Sequence, residues 1–235
     1  MPDIADNLSR VQREIRRCAE NAGRDVNDVR LIAVSKTRTL EEVKIVAGLG
    51  QTAFGENTIQ DAMTKVSHLQ QNVEWHFIGH LQSKKAVKLP GYFQWIHSVD
   101  SVKLAQKLSA AMMSHTKNSV LNCLIQVNVS AEATKSGLMP CEVRTFLQQV
   151  LRLDLPCLAW RGLMTIGVQG DEQQTRDAFA TLRELQQTCK AELALPTFDQ
   201  LSMGMSDDYC LAIEEGATMV RVGTSIFGPR QSFDI

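Results

Sequence analysis

The stretch Leu31-Ile32-Ala33-Val34-Ser35-Lys36 is a short, continuous apolar run that ends in a lysine. Such a run, bounded by polar residues, is typical of a strand buried in a parallel sheet. Seven further β-rich runs follow, separated by amphipathic helical stretches, and this alternation predicts βαβ units. The eight predicted strands are residues 31–35, 52–55, 74–79, 95–99, 122–129, 159–165, 200–203 and 219–222.

The number of strands decides between two architectures. Eight strands with seven intervening helices fit a closed (β/α)8 TIM-type barrel, whereas a doubly wound open sheet more often has five or six. Before the first strand, Ile4, Leu8, Val11 and Ile15 recur at the spacing of one helix face. We therefore predict a single α/β-barrel domain over residues 1–235, with an extra N-terminal helix.

Composition excludes several classes of protein. The chain has 235 residues, 44% of them hydrophobic, and a formal net charge of −1, which gives no global attraction for nucleic acid or an anionic membrane. Its acidic start is unlike a signal peptide, and its apolar runs are too short to span a bilayer. The six cysteines are not closely spaced, so we expect six reduced thiols in a cytoplasmic protein.

Polar residues cluster where the predicted strands end. In a (β/α)8 barrel the carboxyl ends of the strands build the active site. Five predicted strands end in polar residues, and we expect these to meet at one face of the barrel: Lys36, Glu56-Asn57, His80, the segment 202–208 and the segment 221–224.

Lys36 allows two interpretations from its position. It could extend its ammonium into solvent, as an ordinary lysine at a strand end does. At the carboxyl end of a barrel, however, desolvation and nearby cations lower the pKa of a lysine and supply the neutral amine that attacks an aldehyde. Position alone leaves both interpretations open.

The segments after strands seven and eight are the usual phosphate site of this fold. Gly223 would let the backbone approach an anion, and Thr224, Ser202 and Ser206 add hydroxyl donors. The alternatives are a plain turn at Gly223 and a helix N-cap at Ser206. Arg221 lies within an apolar strand, where it could pair with a carboxylate such as that of Asp207 or face a ligand.

Two other groups of residues favour simpler interpretations. His76 and His80 are four residues apart on one strand, roughly 13 Å, which is too far for one metal ion. We therefore predict no metal site and interpret His76 as a core histidine with a satisfied hydrogen bond. The basic cluster 84–88 is interpreted as a solvated helix face; the alternative is a dock for a phosphate-bearing partner.

Seven motifs together resemble the pyridoxal phosphate homeostasis protein family, over residues 5 to 229. Each motif alone is moderately specific, but seven in order at compatible spacings are very specific. The motifs are Ala33-Val34-Ser35-Lys36-Thr37, Phe54-Gly55-Glu56-Asn57, Trp75-His76-Phe77-Ile78-Gly79 with Leu81-Gln82, Lys135-Ser136-Gly137, Arg161-Gly162-Leu163-Met164, Ser202-Met203-Gly204-Met205-Ser206-Asp207-Asp208 and Val220-Arg221-Val222-Gly223-Thr224.

The resemblance implies a fold like the N-terminal barrel domain of alanine racemase and a covalent cofactor, pyridoxal 5′-phosphate (PLP). It implies that Lys36 forms a Schiff base with PLP and that Arg221 faces the pyridine nitrogen. The remaining cofactor-binding residues it implies are Ser202, Gly223 and Thr224 at the phosphate, with Asn57 nearby. One departure is Lys84, which stands after Gln82-Ser83 where the family often has Asn.

Two functions remain compatible with these residues. The resemblance favours a PLP-binding protein of intracellular vitamin B6 homeostasis, a carrier or buffer without robust catalysis that holds PLP as a Schiff base and could pass it to apo-enzymes. The alternative is a racemase-like enzyme acting on amino acids. We expect no catalytic residues, because the sequence ends at Ile235 without a further domain carrying a second base, and Tyr92 and Tyr209 lie away from strand ends. For the same reason we expect a monomer.

Overall fold

The computed structural model describes residues 3–69, 73–115, 119–132, 134–168 and 170–229. Eight parallel strands pair in chain order and close into a barrel. The predicted (β/α)8 barrel and all eight strands are confirmed, with ends displaced by at most three residues. The strands are β1 Arg30–Val34, β2 Ala53–Glu56, β3 Glu74–Phe77, β4 Trp95–Val99, β5 Leu121–Gln126, β6 Leu158–Met164, β7 Gln200–Ser202 and β8 Met219–Val222.

Helices surround this barrel, and the predicted extra helix at the N-terminus is confirmed. Its buried face contains Leu8, Val11 and Ile15, as the spacing predicts. The connection between β3 and β4 is a 3-10 helix, Ser83–Lys88, whose lysines are exposed. The α-helices are α1 Ile4–Asn21, α2 Leu40–Gly48, α3 Ile59–Val66, α4 Val102–His115, α5 Pro140–Arg152, α6 Glu172–Glu192, α7 Tyr209–Glu214 and α8 Thr224–Phe227.

The apolar core has two layers. The larger layer lies between the strands and the helices and includes Phe54, Trp75, Phe179 and Phe198. A smaller cluster contains residues of six different strands: Ile32, Ala53, Trp95, Leu124, Met164 and Met219. The side chains of barrel strands alternate between the two directions, so polar residues placed among them need partners inside the protein.

The contact between β1 and β8 closes the barrel and determines which loops meet. Ile32 is paired with Arg221 and Ala33 with Val222, in parallel register. The chain therefore leaves both strands at the same end of the barrel and at neighbouring positions. The turn that carries Lys36 and the segment that begins at Gly223 lie side by side for this reason.

The expectation of six reduced thiols is wrong for two of the cysteines. Cys18 of α1 and Cys210 of α7 form a disulfide, with their Cα atoms 5.5 Å apart and 192 residues between them in sequence. Linear spacing could not reveal this pair, because the two helices meet only when α1 packs across the closed barrel. Four other cysteines are free: Cys123, Cys141, Cys157 and Cys189.

Two findings concern a membrane-spanning helix and a metal site, and one prediction about the domain stays open. In the described ranges, no helix is long and apolar enough to cross a membrane. The same ranges contain no group of three or more His, Cys, Asp or Glu side chains that could hold a metal ion. The prediction of one domain over residues 1–235 stays a prediction, since residues 1, 2, 70–72, 116–118, 133, 169 and 230–235 lie outside the described residues.

Candidate functional site

Lys36 lies in the turn after β1, at the carboxyl end of the barrel, and its side chain is half-buried. It lines a cleft of about 220 Å³, which we call the Lys36 cleft. The structure thus brings Lys36 together with three other predicted cofactor-binding residues, Arg221, Gly223 and Thr224, and with Ser206. The other residues of the Lys36 cleft are Val34, Arg38, Ile78, Met205, Ser206, Asp207, Arg221, Gly223 and Thr224.

Hydrogen bonds hold the backbone on both sides of Lys36. Before it, the Ser35 carbonyl accepts from Lys65 Nζ of α3 at 2.8 Å. After it, the Thr37 N–H donates to Asp61 Oδ2 at 2.8 Å, and Thr37 has a φ of 62°, which is uncommon for a residue other than glycine. These contacts fix the direction in which the Lys36 side chain leaves the turn.

The Lys65 ammonium is buried between two carboxylates. Its Nζ lies 2.8 Å from Glu56 Oε1 and 3.1 Å from Asp61 Oδ1, and the Ser35 hydroxyl donates to the same Glu56 oxygen at 2.6 Å. Within the described residues, Glu56 Oε2 is buried without a hydrogen-bond partner. Burial raises the pKa of Glu56 to about 7, although the charge of Lys65 acts in the opposite direction.

Arg221 is 6% exposed and lines the Lys36 cleft from β8. It donates from Nη1 to Ser202 Oγ at 2.6 Å and from Nη2 to the Thr165 carbonyl at 2.9 Å. Burial lowers the pKa of Arg221 to about 10, and the charge of Asp208 opposes this. The guanidinium is thus still protonated at neutral pH, and the carboxylate that acts on it is Asp208 rather than the Asp207 that the sequence suggested.

The segment after β8 approaches β1 closely. Gly223 has a φ of −119°, so it does not need a left-handed conformation. A Cβ there would lie 3.2 Å from the Val34 carbonyl oxygen, which is tighter than an ordinary contact. Glycine therefore allows this segment to pack on β1, while Thr224, which is exposed, and Ser206, which is half-buried, present hydroxyl groups beside it.

Some of the predicted residues lie elsewhere. Ser202 is fully buried, with its hydroxyl between Arg221 and His97, and is not among the described residues that line the Lys36 cleft. Asn57 is exposed after β2 and is not among the described residues that line the cleft. His80 is also exposed, and its Nδ1 lies 3.8 Å from Asp100 Oδ2.

Sequence reasoning missed His97 and the role of Lys65. The prediction that His76 is a buried histidine with a hydrogen bond agrees with its position, and its partners are His97 of β4 and Glu74 of β3. The available signal was a histidine within the otherwise buried strand of residues 95–99. For Lys65 there was little signal, because a lysine in an amphipathic helix is ordinarily exposed.

Comparison with known proteins decides the family. A sequence profile described as "Alanine racemase, N-terminal domain" matches residues 7–231. The pyridoxal phosphate homeostasis protein of Vibrio alginolyticus is 42% identical, over 98% of this chain and 99% of that protein. The protein of the same name from Pseudomonas aeruginosa is 44% identical, over 98% and 97%. The chain belongs to the pyridoxal phosphate homeostasis protein family.

Solved structures agree with this family and its fold. The structure of PipY from Synechococcus elongatus with PLP bound is 33% identical, with a TM-score of 0.82 over 96% of this chain and 100% of that chain. Alanine racemase from Corynebacterium glutamicum is 17% identical, with a TM-score of 0.70 over 99% of this chain and 62% of that chain. The second likeness is evidence of a shared fold alone. Membership of the pyridoxal phosphate homeostasis protein family confirms the resemblance found in the sequence.

Proposed function

We propose that the Lys36 cleft binds PLP, that Lys36 holds it as a Schiff base, and that the chain serves intracellular vitamin B6 homeostasis. The observation that carries the proposal is that Lys36 and Arg221 line the same cleft, beside Gly223 and Thr224. The PLP bound to the related PipY supports it. Lys36 would hold PLP through its side-chain amine: in the deprotonated form the amine would condense with the aldehyde, a C=N bond replacing C=O with release of one water.

The residues of the Lys36 cleft fit the chemical groups of PLP. Arg221 is a weak acid, so it can donate a hydrogen bond to a pyridine nitrogen without protonating it. Bound PLP supplies an electron sink, and an arginine partner keeps that sink weaker than an aspartate would. The hydroxyls of Ser206 and Thr224 and the backbone at Gly223 are donors suited to the phosphate.

Two predicted cofactor-binding residues, Ser202 and Asn57, lie outside the Lys36 cleft lining, so this proposal gives neither of them an observed contact with the cofactor. Ser202 acts through Arg221, because its hydroxyl is already in contact with Arg221 and His97. A direct contact between Asn57 and PLP stays a prediction, since Asn57 is exposed outside the cleft lining described above.

Replacement of Lys36 tests the covalent bond. Borohydride reduction of the PLP-loaded protein should fix a pyridoxyl group on the peptide that contains Lys36, which peptide mass spectrometry detects. Lys36→Ala should abolish this labelling and the near-visible absorbance of bound PLP. The control is Lys103→Ala, since Lys103 is an exposed lysine of α4 and its loss should change neither readout. Labelling of another lysine with Lys36 unmodified would refute the proposal.

We propose further that the protein holds PLP without strong catalysis, rather than acting as a racemase. Two-base racemisation needs a second acid or base on the opposite face of the substrate. Tyr209 does not supply it, because Tyr209 lies in α7 and its hydroxyl donates to Glu14 Oε2 at 2.6 Å. Burial and the neighbouring Glu14 also raise the pKa of Tyr209.

Hydrogen exchange distinguishes a PLP-holding protein from an enzyme. The PLP-loaded protein should exchange no appreciable α-hydrogen of a panel of amino acids with D2O, as measured by proton NMR. An exchange rate of about 1 s⁻¹, within the ordinary range of enzymes, would contradict this expectation and favour the racemase-like alternative.

The cellular setting is part of the proposal. We propose a cytoplasmic monomer that releases PLP to apo-enzymes. Sedimentation should give the mass of one chain. PLP should reach an added apo-enzyme faster from the loaded protein than from the borohydride-reduced protein, in which the cofactor is fixed to Lys36 and cannot leave. Equal rates of transfer would argue against a carrier.

A further inference from the structure

A line of polar side chains, buried except for the half-buried Glu74 at its outer end, crosses the barrel to Arg221. Glu74 Oε1 lies 3.0 Å from His76 Nε2, and His76 Nδ1 lies 2.9 Å from His97 Nε2. His97 Nδ1 lies 2.9 Å from Ser202 Oγ, which accepts from Arg221 Nη1 at 2.6 Å. We call these five residues the relay. Glu74 begins β3 and Ser202 ends β7, so the relay joins the two ends of the barrel.

The hydrogens of the relay can be assigned from its ends. Glu74 only accepts, because burial raises its pKa but contacts with His76 and Arg30 outweigh this and lower it. His76 therefore donates from Nε2 and accepts at Nδ1, when its imidazole is neutral. His97 then donates from Nε2 and accepts at Nδ1 the hydroxyl hydrogen of Ser202. Ser202 Oγ in turn accepts from Arg221, which has donors alone.

The surroundings of the two imidazoles favour this neutral state. His76 and His97 are fully buried, and burial lowers the pKa of both; the charge of Arg221 lowers that of His97 further. The Trp95 ring stacks on His76 with 5.5 Å between ring centroids, which keeps water from one face of the relay. All donors then point toward Glu74, and hydrogen bonds aligned in one direction strengthen one another.

We propose that His76 and His97 are positioning residues of the cofactor site: with Ser202 they hold the Arg221 guanidinium in one orientation. The proposal deepens the proposed function, on which it rests where PLP is concerned. Nη1 is held by the relay and Nη2 by the Thr165 carbonyl. Two fixed points on a planar guanidinium determine where its remaining N–H groups point. Without the relay, Arg221 would keep one of these two points and could rotate.

The test uses protein with and without PLP. In the PLP-free protein, ¹⁵N NMR should find both imidazoles neutral with the hydrogen on Nε2, and separate Nη signals for a non-rotating Arg221. Ser202→Ala should shift the His97 Nδ1 signal and merge the Arg221 Nη signals. In the loaded protein it should shift the PLP absorbance band and raise the Kd for PLP about tenfold, the scale of one hydrogen bond to a charged group.

Matched variants separate positioning from general loss of structure. Ser109→Ala removes a buried hydroxyl that donates to the Pro156 carbonyl, a contact that involves no residue of the relay, and should leave all these signals unchanged. His97→Leu should change the signals in the same way as Ser202→Ala. His97→Gln should keep them closer to those of the wild type, because an amide both donates and accepts hydrogen bonds. If His97→Leu does not fold, the Ser202→Ala protein alone tests whether the relay holds Arg221 in one orientation.

Two results would overturn the proposal. One is an imidazole of His76 or His97 with its hydrogen on Nδ1 in the neutral wild-type protein. The other is a Ser202→Ala protein whose Arg221 signals match those of Ser109→Ala. Should the wild-type protein bind no PLP, the proposed function fails, while the NMR comparison of PLP-free proteins still decides whether the relay holds Arg221.

Discussion

Lys65→Met is expected to lower the free energy of unfolding by about 3–5 kcal/mol at pH 8, the range for removing one partner of a buried ion pair. The Lys65 side chain is 2% exposed and that of Glu56 is fully buried. Methionine fills a similar volume but leaves the Glu56 carboxylate with the Ser35 hydroxyl alone on Oε1. Urea denaturation followed by circular dichroism measures the loss.

The size of the loss should depend on pH. Burial raises the pKa of Glu56 to about 7, above its ordinary value of 4.5. The folded state therefore binds more protons than the unfolded state between these values, and the contribution of Glu56 to stability falls as pH rises through this window. Without Lys65 the carboxyl group can escape the cost of burial only by protonation. We therefore expect a smaller loss at pH 5 than at pH 8.

Two further variants make the result interpretable. Lys44→Met removes an exposed ion pair with Glu41, so it should change stability by less than about 0.5 kcal/mol. In Lys65→Met/Glu56→Gln both members of this buried ion pair are neutral, and most of the lost stability should return. Equal losses from Lys65→Met and Lys44→Met would mean that the buried pair does not stabilise the fold.

The same substitution should weaken retention of PLP. Lys65 donates to the carbonyl of Ser35, immediately before Lys36, and Asp61 accepts from the N–H immediately after it. Loss of the first contact frees one side of the turn. Dialysis of the PLP-loaded variant at pH 8 should release PLP faster than dialysis of wild type or Lys44→Met.

The strands and the position of Lys36 could be predicted because their signals are local. Each strand is a short apolar run, and Lys36 directly follows one of them. The direction of a side chain beyond the strand end was harder to predict. Glu56 is the last residue of β2 and Asn57 the first residue after it, where the regular alternation of strand side chains ends. The structure buries Glu56 and exposes Asn57, although sequence reasoning placed both at the same face.

The missed features depend on contacts between distant segments. Lys65 becomes buried only because α3 packs behind the turn after β1. The relay needs residues of β3, β4, β7 and β8 to face the same interior, and no single strand contains its pattern. The motif around Ser202 correctly placed this serine at the end of strand seven, but only the closed barrel puts its hydroxyl against Arg221 and His97.

Breaking the disulfide between Cys18 and Cys210 is expected to lower the free energy of unfolding by about 2–5 kcal/mol. The bond closes a loop across 192 residues of sequence, and a cross-link over so long a loop removes much conformational freedom from the unfolded chain. Cys18→Ser should show the loss in urea denaturation without reductant. Cys141→Ser is the control, because Cys141 is exposed and free.

The fold should survive this loss, because α1 and the turn after it stay attached by other contacts. Arg24 donates to the carbonyls of Ile213 and Ala217, each at 2.8 Å, and Tyr209 donates to Glu14. Reductant should therefore lower the stability of wild type toward that of Cys18→Ser and leave Cys18→Ser unchanged. Six titratable thiols in the denatured, unreduced wild type, instead of four, would show that the bond does not form in solution and that the cysteines are reduced, as a cytoplasmic location would favour.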